Sequence, residues 1–195
     1  MEQQKKLTEE ESLKLISRTI YEAKGYFHES GVAVIIYGFS IFICSILSYL
    51  TDKAIITFPF QPFYLFIPVF FVQSYVQVKE EKKKKAKTFT DEAIDFVWTG
   101  FFISVLVAFT AIFAGMHYIA ISITLILAGF AAFLTGILSK FRYHIITSFL
   151  CWLLASVSFF IQNANIYLLL AAVAVLLWIV PGFILNAVFK KQQHG

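Results

Sequence analysis

Between Phe96 and Ser139 the chain has no lysine, arginine, aspartate or glutamate, and none occurs between Tyr143 and Phe189. Each stretch is longer than any single helix or strand that a small water-soluble domain could enclose. An uncharged surface of that length is not solvated by water, so the stretches demand a hydrocarbon environment. Composition agrees: 59% of residues are hydrophobic and 14% are charged, against about 25% charged in soluble domains. Secreted disulfide scaffolds, disordered chains and nucleic-acid-binding domains are excluded by the same arithmetic.

A bilayer core about 30 Å thick takes roughly 20 apolar residues in a helix. Six blocks meet that length, at about 32–50, 60–78, 94–113, 118–138, 143–161 and 166–189. The expected fold is therefore all-α: six transmembrane helices arranged as three hairpins in 31–190. A cytoplasmic amphipathic helix precedes them in 1–30, and a short cytoplasmic tail follows in 191–195. Pro59 and Pro62 fall at the entry to the second block, and Pro68 inside it predicts a kink. The polar group Gln162-Asn163-Ala164-Asn165 divides the last uncharged run into two spans joined by a tight turn.

Basic residues set the orientation. With six spans, 15 of the 16 lysines and arginines fall on one side, and only Lys53 falls on the other. That asymmetry places both termini of a multi-pass membrane protein in the cytoplasm. Tyrosines support the frame. Tyr49, Tyr64, Tyr118 and Tyr167 fall at outer ends, and Tyr26, Tyr75 and Tyr143 near inner ends, where an apolar ring with a polar hydroxyl is best accommodated. The first apolar stretch begins near Val32 with no small-residue cleavage site behind it, so a retained signal-anchor is expected.

Residues 8–27 do not span but carry a helical pattern. Thr8 and Glu11 are spaced as a capping box, and Leu13, Ile16, Ile20, Ala23 and Phe27 share a face. Three roles stay open: lying in the membrane interface, packing across the inner ends of the spans, or docking a cytosolic protein partner. In the loop after the second block, Lys82, Lys83, Lys84 and Lys85 are the densest charge in the chain. They are a topological determinant and a candidate contact for anionic lipid headgroups.

Chemistry-bearing residues are scarce. No ionisable group lies deep in a predicted span, which removes the usual carriers of protons and ions. Asp95 is nearest, about one turn into the third block, and reads as a helix-start acid. Cys44 and Cys151 lie in spans without metal-ligand spacing. His117 and His144 fall at opposite span ends, and no catalytic motif is present. No catalytic residue, metal or cofactor is expected.

Two other constellations remain. Ala128, Ala132 and Gly136 form a small-residue stripe suited to close helix packing, and Gly38 and Gly100 could act likewise. Gln73, Gln77 and Asn186 are the most polar side chains in their half of the bundle. With Trp178 alongside, they could line a polar cavity near the bend predicted at Pro181-Gly182. More simply, they satisfy backbone groups that the bend frees.

Glu11-Ser12-Leu13-Lys14-Leu15-Ile16, then Ala23-Lys24, Gly31, Tyr37-Gly38 and the late Pro181-Gly182 resemble a group of uncharacterised small six-span membrane proteins common in Bacteroidota. The resemblance covers the whole chain in layout and about thirty residues in motif. It implies the span layout and the amphipathic leader, and no activity. Tyr37 stands where that group often has Trp. The expectation is a non-enzymatic membrane protein, structural, stress-related or regulatory, with a cytoplasmic interaction surface. The alternative is a transporter or channel for a small neutral or lipid-like solute.

Overall fold

The structure, a computed structural model, describes residues 31–65, 68, 69, 72, 75 and 89–193. The amphipathic segment 8–27, Gln73, Gln77, Lys82, Lys83, Lys84, Lys85 and nine of the nineteen residues of the second apolar block lie outside the described residues. Among those described, all regular structure is helical. Helix α1 runs Val32–Asp52, followed by a 3-10 turn at Pro62–Leu65. Helix α2 is Phe89–Phe109, extended by a 3-10 turn at Thr110–Ile112. Helices α3, His117–Leu138, and α4, Arg142–Ser158, form a hairpin. The last rod comprises α5, Asn165–Ala174, a π-helical turn, Val175–Ile179, and α6, Val180–Gln193.

Four of these rods are long and apolar enough to cross a membrane: Val32–Asp52, Phe89–Ile112, His117–Leu138 and Asn165–Val188. Helix α4, at 17 residues, would extend about 25 Å. Large apolar side chains face outward along the rods, among them Phe96, Leu106, Ile146, Leu153 and Phe160. An outer surface of this kind is stable against lipid and not against water.

Among the described residues the chain reverses by the same device three times. After α1, Ala54 N–H donates to Thr51 O and Ile55 N–H to Leu50 O, each at 3.0 Å. After α2, Gly115 and Met116 repeat the pattern onto Ile112 and Ala111, and after α3, Lys140 and Phe141 repeat it onto Ile137 and Gly136. Each pair recovers carbonyls that a helix end leaves open. The pivot needs a left-handed backbone, with φ +76° at Gly115 but also +55° at Ala54 and +56° at Lys140. The two non-glycine residues carry steric strain there. The turn at Gln162–Asn165 is closed by side chains instead. Asn163 Oδ1 accepts from the Asn165 N–H at 2.9 Å, and Gln162 Nε2 donates to Phe159 O at 3.0 Å.

Glycines set how closely the rods approach. At Gly136 an added Cβ would lie 2.8 Å from Ile145 Cγ1 and 2.9 Å from the Ile145 backbone nitrogen, so α3 and α4 meet there backbone to backbone. Ala128 and Ala132, two turns and one turn earlier, are buried. Gly129, which lies off the small-residue stripe, has a separate role. The Trp152 indole occupies the space above it, and Trp152 Nε1 donates to Ile126 O at 3.2 Å. Next to it Cys151 Sγ donates to Leu125 O at 3.2 Å. Two successive side chains of α4 thus bond two successive carbonyls of α3. Both cysteines are buried and not joined to each other.

Candidate functional site: the crossing of the first and last helices

The π-helical turn Val175–Ile179 lies immediately before Pro181. Proline has no N–H, and its ring clashes with the carbonyl four residues back, here Leu177. A widened turn relieves that clash without breaking the rod, so the bend expected at Pro181-Gly182 takes the form of a π turn. Such turns are frequent at functional sites.

Helix α1 crosses the rod at this irregularity. At Gly38 an added Cβ would meet Trp178 Cβ and Ile179 Cγ1 at 2.8 Å and the Ile179 nitrogen at 2.9 Å. One helical turn further along the rod, Gly182 faces the Ile35 nitrogen, 3.1 Å from where its Cβ would stand. Gly31, with φ +69°, caps α1 and would place a Cβ 2.5 Å from Gly182 O. Three glycines therefore bring the backbones of both rods into contact, Gly38 at the π turn and Gly31 and Gly182 beyond its end.

Closing the crossing is a cluster of rings. Tyr37 lies 5.4 Å from Trp178 and 5.8 Å, edge-on, from Phe102. Trp98 lies 6.1 Å from Trp178 and 5.4 Å from Phe101. These are favourable aromatic separations, and they join α1, α2 and the last rod. Trp178 is only 5% exposed and is occupied by this cluster. Asn186 is half-buried on α6, eight residues and so about 12 Å further along the helix. Because Gln73 and Gln77 lie outside the described residues, only Asn186 of the expected polar set has a position.

Polar side chains inside the rods mostly turn back on their own helix. Ser40, Ser45, Thr51, Thr99, Ser104, Thr124 and Ser156 each donate to the carbonyl four residues earlier, at 2.7–3.0 Å. Bonds of that kind satisfy the hydroxyl and present nothing to a solute. Among the described residues, Ser48 Oγ, Thr135 Oγ1 and His144 Nδ1 are buried without a hydrogen-bond partner. His144 packs 5.0 Å from the Phe141 ring. Asp91 and Glu92 occupy the first turn of α2, where a carboxylate complements the helix dipole. Asp95 is exposed in the following turn. Among the described residues no group of three or more histidine, cysteine or acidic side chains could hold a metal ion.

Spacing along the chain gives no packing signal for the glycines at 31 and 182, whereas Gly129 recurs seven residues before Gly136 and could have been recognised by that interval. Gly100, a candidate for close packing by its position in mid-helix, stands on an open face: no atom lies within 4 Å of an added Cβ. It borders a groove of about 290 Å³ between α2 and α3, lined by Phe96, Ser104, Phe130 and Leu134 among others. No family model, curated protein or solved structure matches this chain.

Proposed function

We propose that the protein is a six-span protein of the bacterial inner membrane with both termini cytoplasmic. In this reading it acts as a close-packed structural, stress-related or regulatory body and not as an enzyme or a conduit. The working surface is cytoplasmic: residues 8–27, the Lys82-Lys83-Lys84-Lys85 loop against anionic headgroups, and the tail. Basic-residue asymmetry supports the orientation. Helix α4 and the block 60–78 supply the two spans beyond the four long rods.

The observation that carries this reading is the filled crossing of α1 and the last rod. Gly38 lies against Trp178 and Ile179, and the rings of Tyr37, Trp98 and Phe102 close over it. A solute path along that seam would have to separate backbones already in contact. Reconstitution into liposomes tests it: no selective flux of neutral or lipid-like solutes is expected. Selective flux abolished by Gln77→Leu would overturn the reading in favour of transport through the Gln73, Gln77 and Asn186 region. A reporter fused after Gly195 should be cytoplasmic, and a periplasmic signal would reject the six-span frame.

A further inference from the structure

The two ends of the bundle differ in kind. At one end α3 and α4 turn through Lys140 and Arg142, and α6 carries Lys190. The opposite end holds the turn 110–116, between α2 and α3, and the turn 159–164, between α4 and α5. Neither turn contains a lysine, arginine, aspartate or glutamate. Turn tips that meet water are polar, yet here each presents a phenylalanine: Phe113 is 94% exposed and Phe160 89%. Phe109, Ile112, Met116 and Phe159 extend the same apolar crown.

The donors of these turns face inward. The N–H groups of Phe113, Ala114, Gly115 and Met116 donate to carbonyls of residues 110–112 at 2.9–3.1 Å, and those of Phe160 and Ile161 to Val157 and Ser158 at 3.1 and 3.0 Å. Thr110 Oγ1 donates to Val107 O at 2.7 Å, and the Gln162 amide is turned onto Phe159 O. A turn in water can leave N–H groups to solvent, whereas backbone that meets hydrocarbon has to be closed internally. A protein docking face carries about one hydrogen bond per 100–200 Å²; these tips direct their donors to their own backbone instead. Length points the same way. Phe113 stands eighteen residues after Asp95, and Phe160 eighteen after Arg142. Each tip is therefore about 27 Å along a helix from a charge, less than the hydrocarbon core of about 30 Å. With those charges at or outside one boundary, both rings fall short of the opposite one, and tilt shortens the reach further.

We propose that the crown around Phe113 and Phe160 is an insertion surface for lipid, with its rings seated at the boundary between acyl chains and headgroups. The inference rests on reading the rods as membrane spans, and it deepens that reading. With this end given over to lipid, contact with other macromolecules falls to the charged end.

The test uses full-length protein in vesicles of phosphatidylethanolamine and phosphatidylglycerol, with a nitroxide attached to Phe113→Cys or Phe160→Cys. Spin-label access to oxygen, which concentrates in hydrocarbon, is compared with access to a water-soluble nickel chelate. Ile103→Cys, midway along α2 and 58% exposed as isoleucine, marks hydrocarbon, and Lys190→Cys marks water. Wild type, whose two described cysteines are buried, sets the labelling background. Met116→Cys and Phe159→Cys replace any variant that loses helical circular dichroism. Both tips should take up oxygen as Ile103→Cys does and lose most of the nickel broadening seen at Lys190→Cys. Nickel broadening at either tip equal to that at Lys190→Cys, while Ile103→Cys reads hydrocarbon, overturns the insertion alone. Water-like access at Ile103→Cys as well overturns the span reading and the insertion with it. Low access of both reagents at the tips means that protein covers them, such as a second copy, and also overturns the assignment to lipid.

Discussion

Replacing Gly38 by alanine tests whether the α1 crossing is held by backbone contact. The added carbon would lie 2.8 Å from Trp178 Cβ and Ile179 Cγ1 and 2.9 Å from the Ile179 nitrogen. Carbon atoms in ordinary contact stand about 3.5–4.0 Å apart, so relief requires a shift of about 0.7 Å or more. Two of the three obstructing atoms belong to or sit directly on the backbone, so no side-chain rotation provides it and the rods must separate. Overpacking of this kind costs about 1–3 kcal/mol, against a helix-propensity gain of about 1 kcal/mol for glycine to alanine. Gly100→Ala cancels the second contribution: it makes the same chemical change in mid-helix with nothing within 4 Å. The two variants should therefore differ by about 1–3 kcal/mol, with Gly38→Ala the less stable. Reversible unfolding in mixed detergent micelles, followed by circular dichroism, measures both. Equal stabilities within about 0.3 kcal/mol, the scale of ordinary non-additivity, would refute the backbone-contact argument.

Other expectations follow from the same geometry. Gly136→Ala should destabilise the α3–α4 hairpin by about 1–3 kcal/mol in the same assay, because it meets the Ile145 backbone nitrogen at 2.9 Å. Gly129→Ala should cost less, about 1 kcal/mol, since only the Trp152 indole obstructs and it can swing away, losing its bond to Ile126 O. Its mark would be altered Trp152 emission, absent in a Trp152→Phe background. Ala54→Gly should stabilise by about 0.5–1 kcal/mol, seen as a raised unfolding midpoint, because φ +55° is free of strain only for glycine. His144→Leu removes a buried ring nitrogen without a partner and should leave stability equal or up to about 1 kcal/mol higher in denaturant titration.

Much of the architecture was legible along the chain. The charge-free stretches predicted helices of bilayer length, and Gln162–Asn165 and the proline at 181 marked a turn and an irregularity where they occur. The form of the irregularity was not legible. Proline forbids one hydrogen bond and crowds one carbonyl, and either a kink or a widened turn answers both; contact with Gly38 and Ile35 accompanies the second. Gln73 and Gln77, the amides that could have lined a cavity with Trp178, lie outside the described residues, and the rings that Trp178 does meet are those of Tyr37 and Trp98. Those rings lie on helices 60 or more residues away in sequence, beyond what helical periodicity can register. Ala54 and Lys140 show the same limit: their left-handed turns are imposed where a helix must reverse, against local preference.

Sequence alone determined that this chain is built of helices long and apolar enough to cross a membrane, because that follows from properties local to a segment: apolar length against bilayer thickness, and the need to satisfy every backbone group inside it. Tertiary structure decided which faces meet. Gly38 and Gly100 look equivalent in sequence, yet one lies against two backbone-anchored atoms and the other faces open space. A missing side chain permits close approach but supplies no force toward any partner. The partner is selected by how the remaining surfaces fit, and that exists only once the rods are assembled.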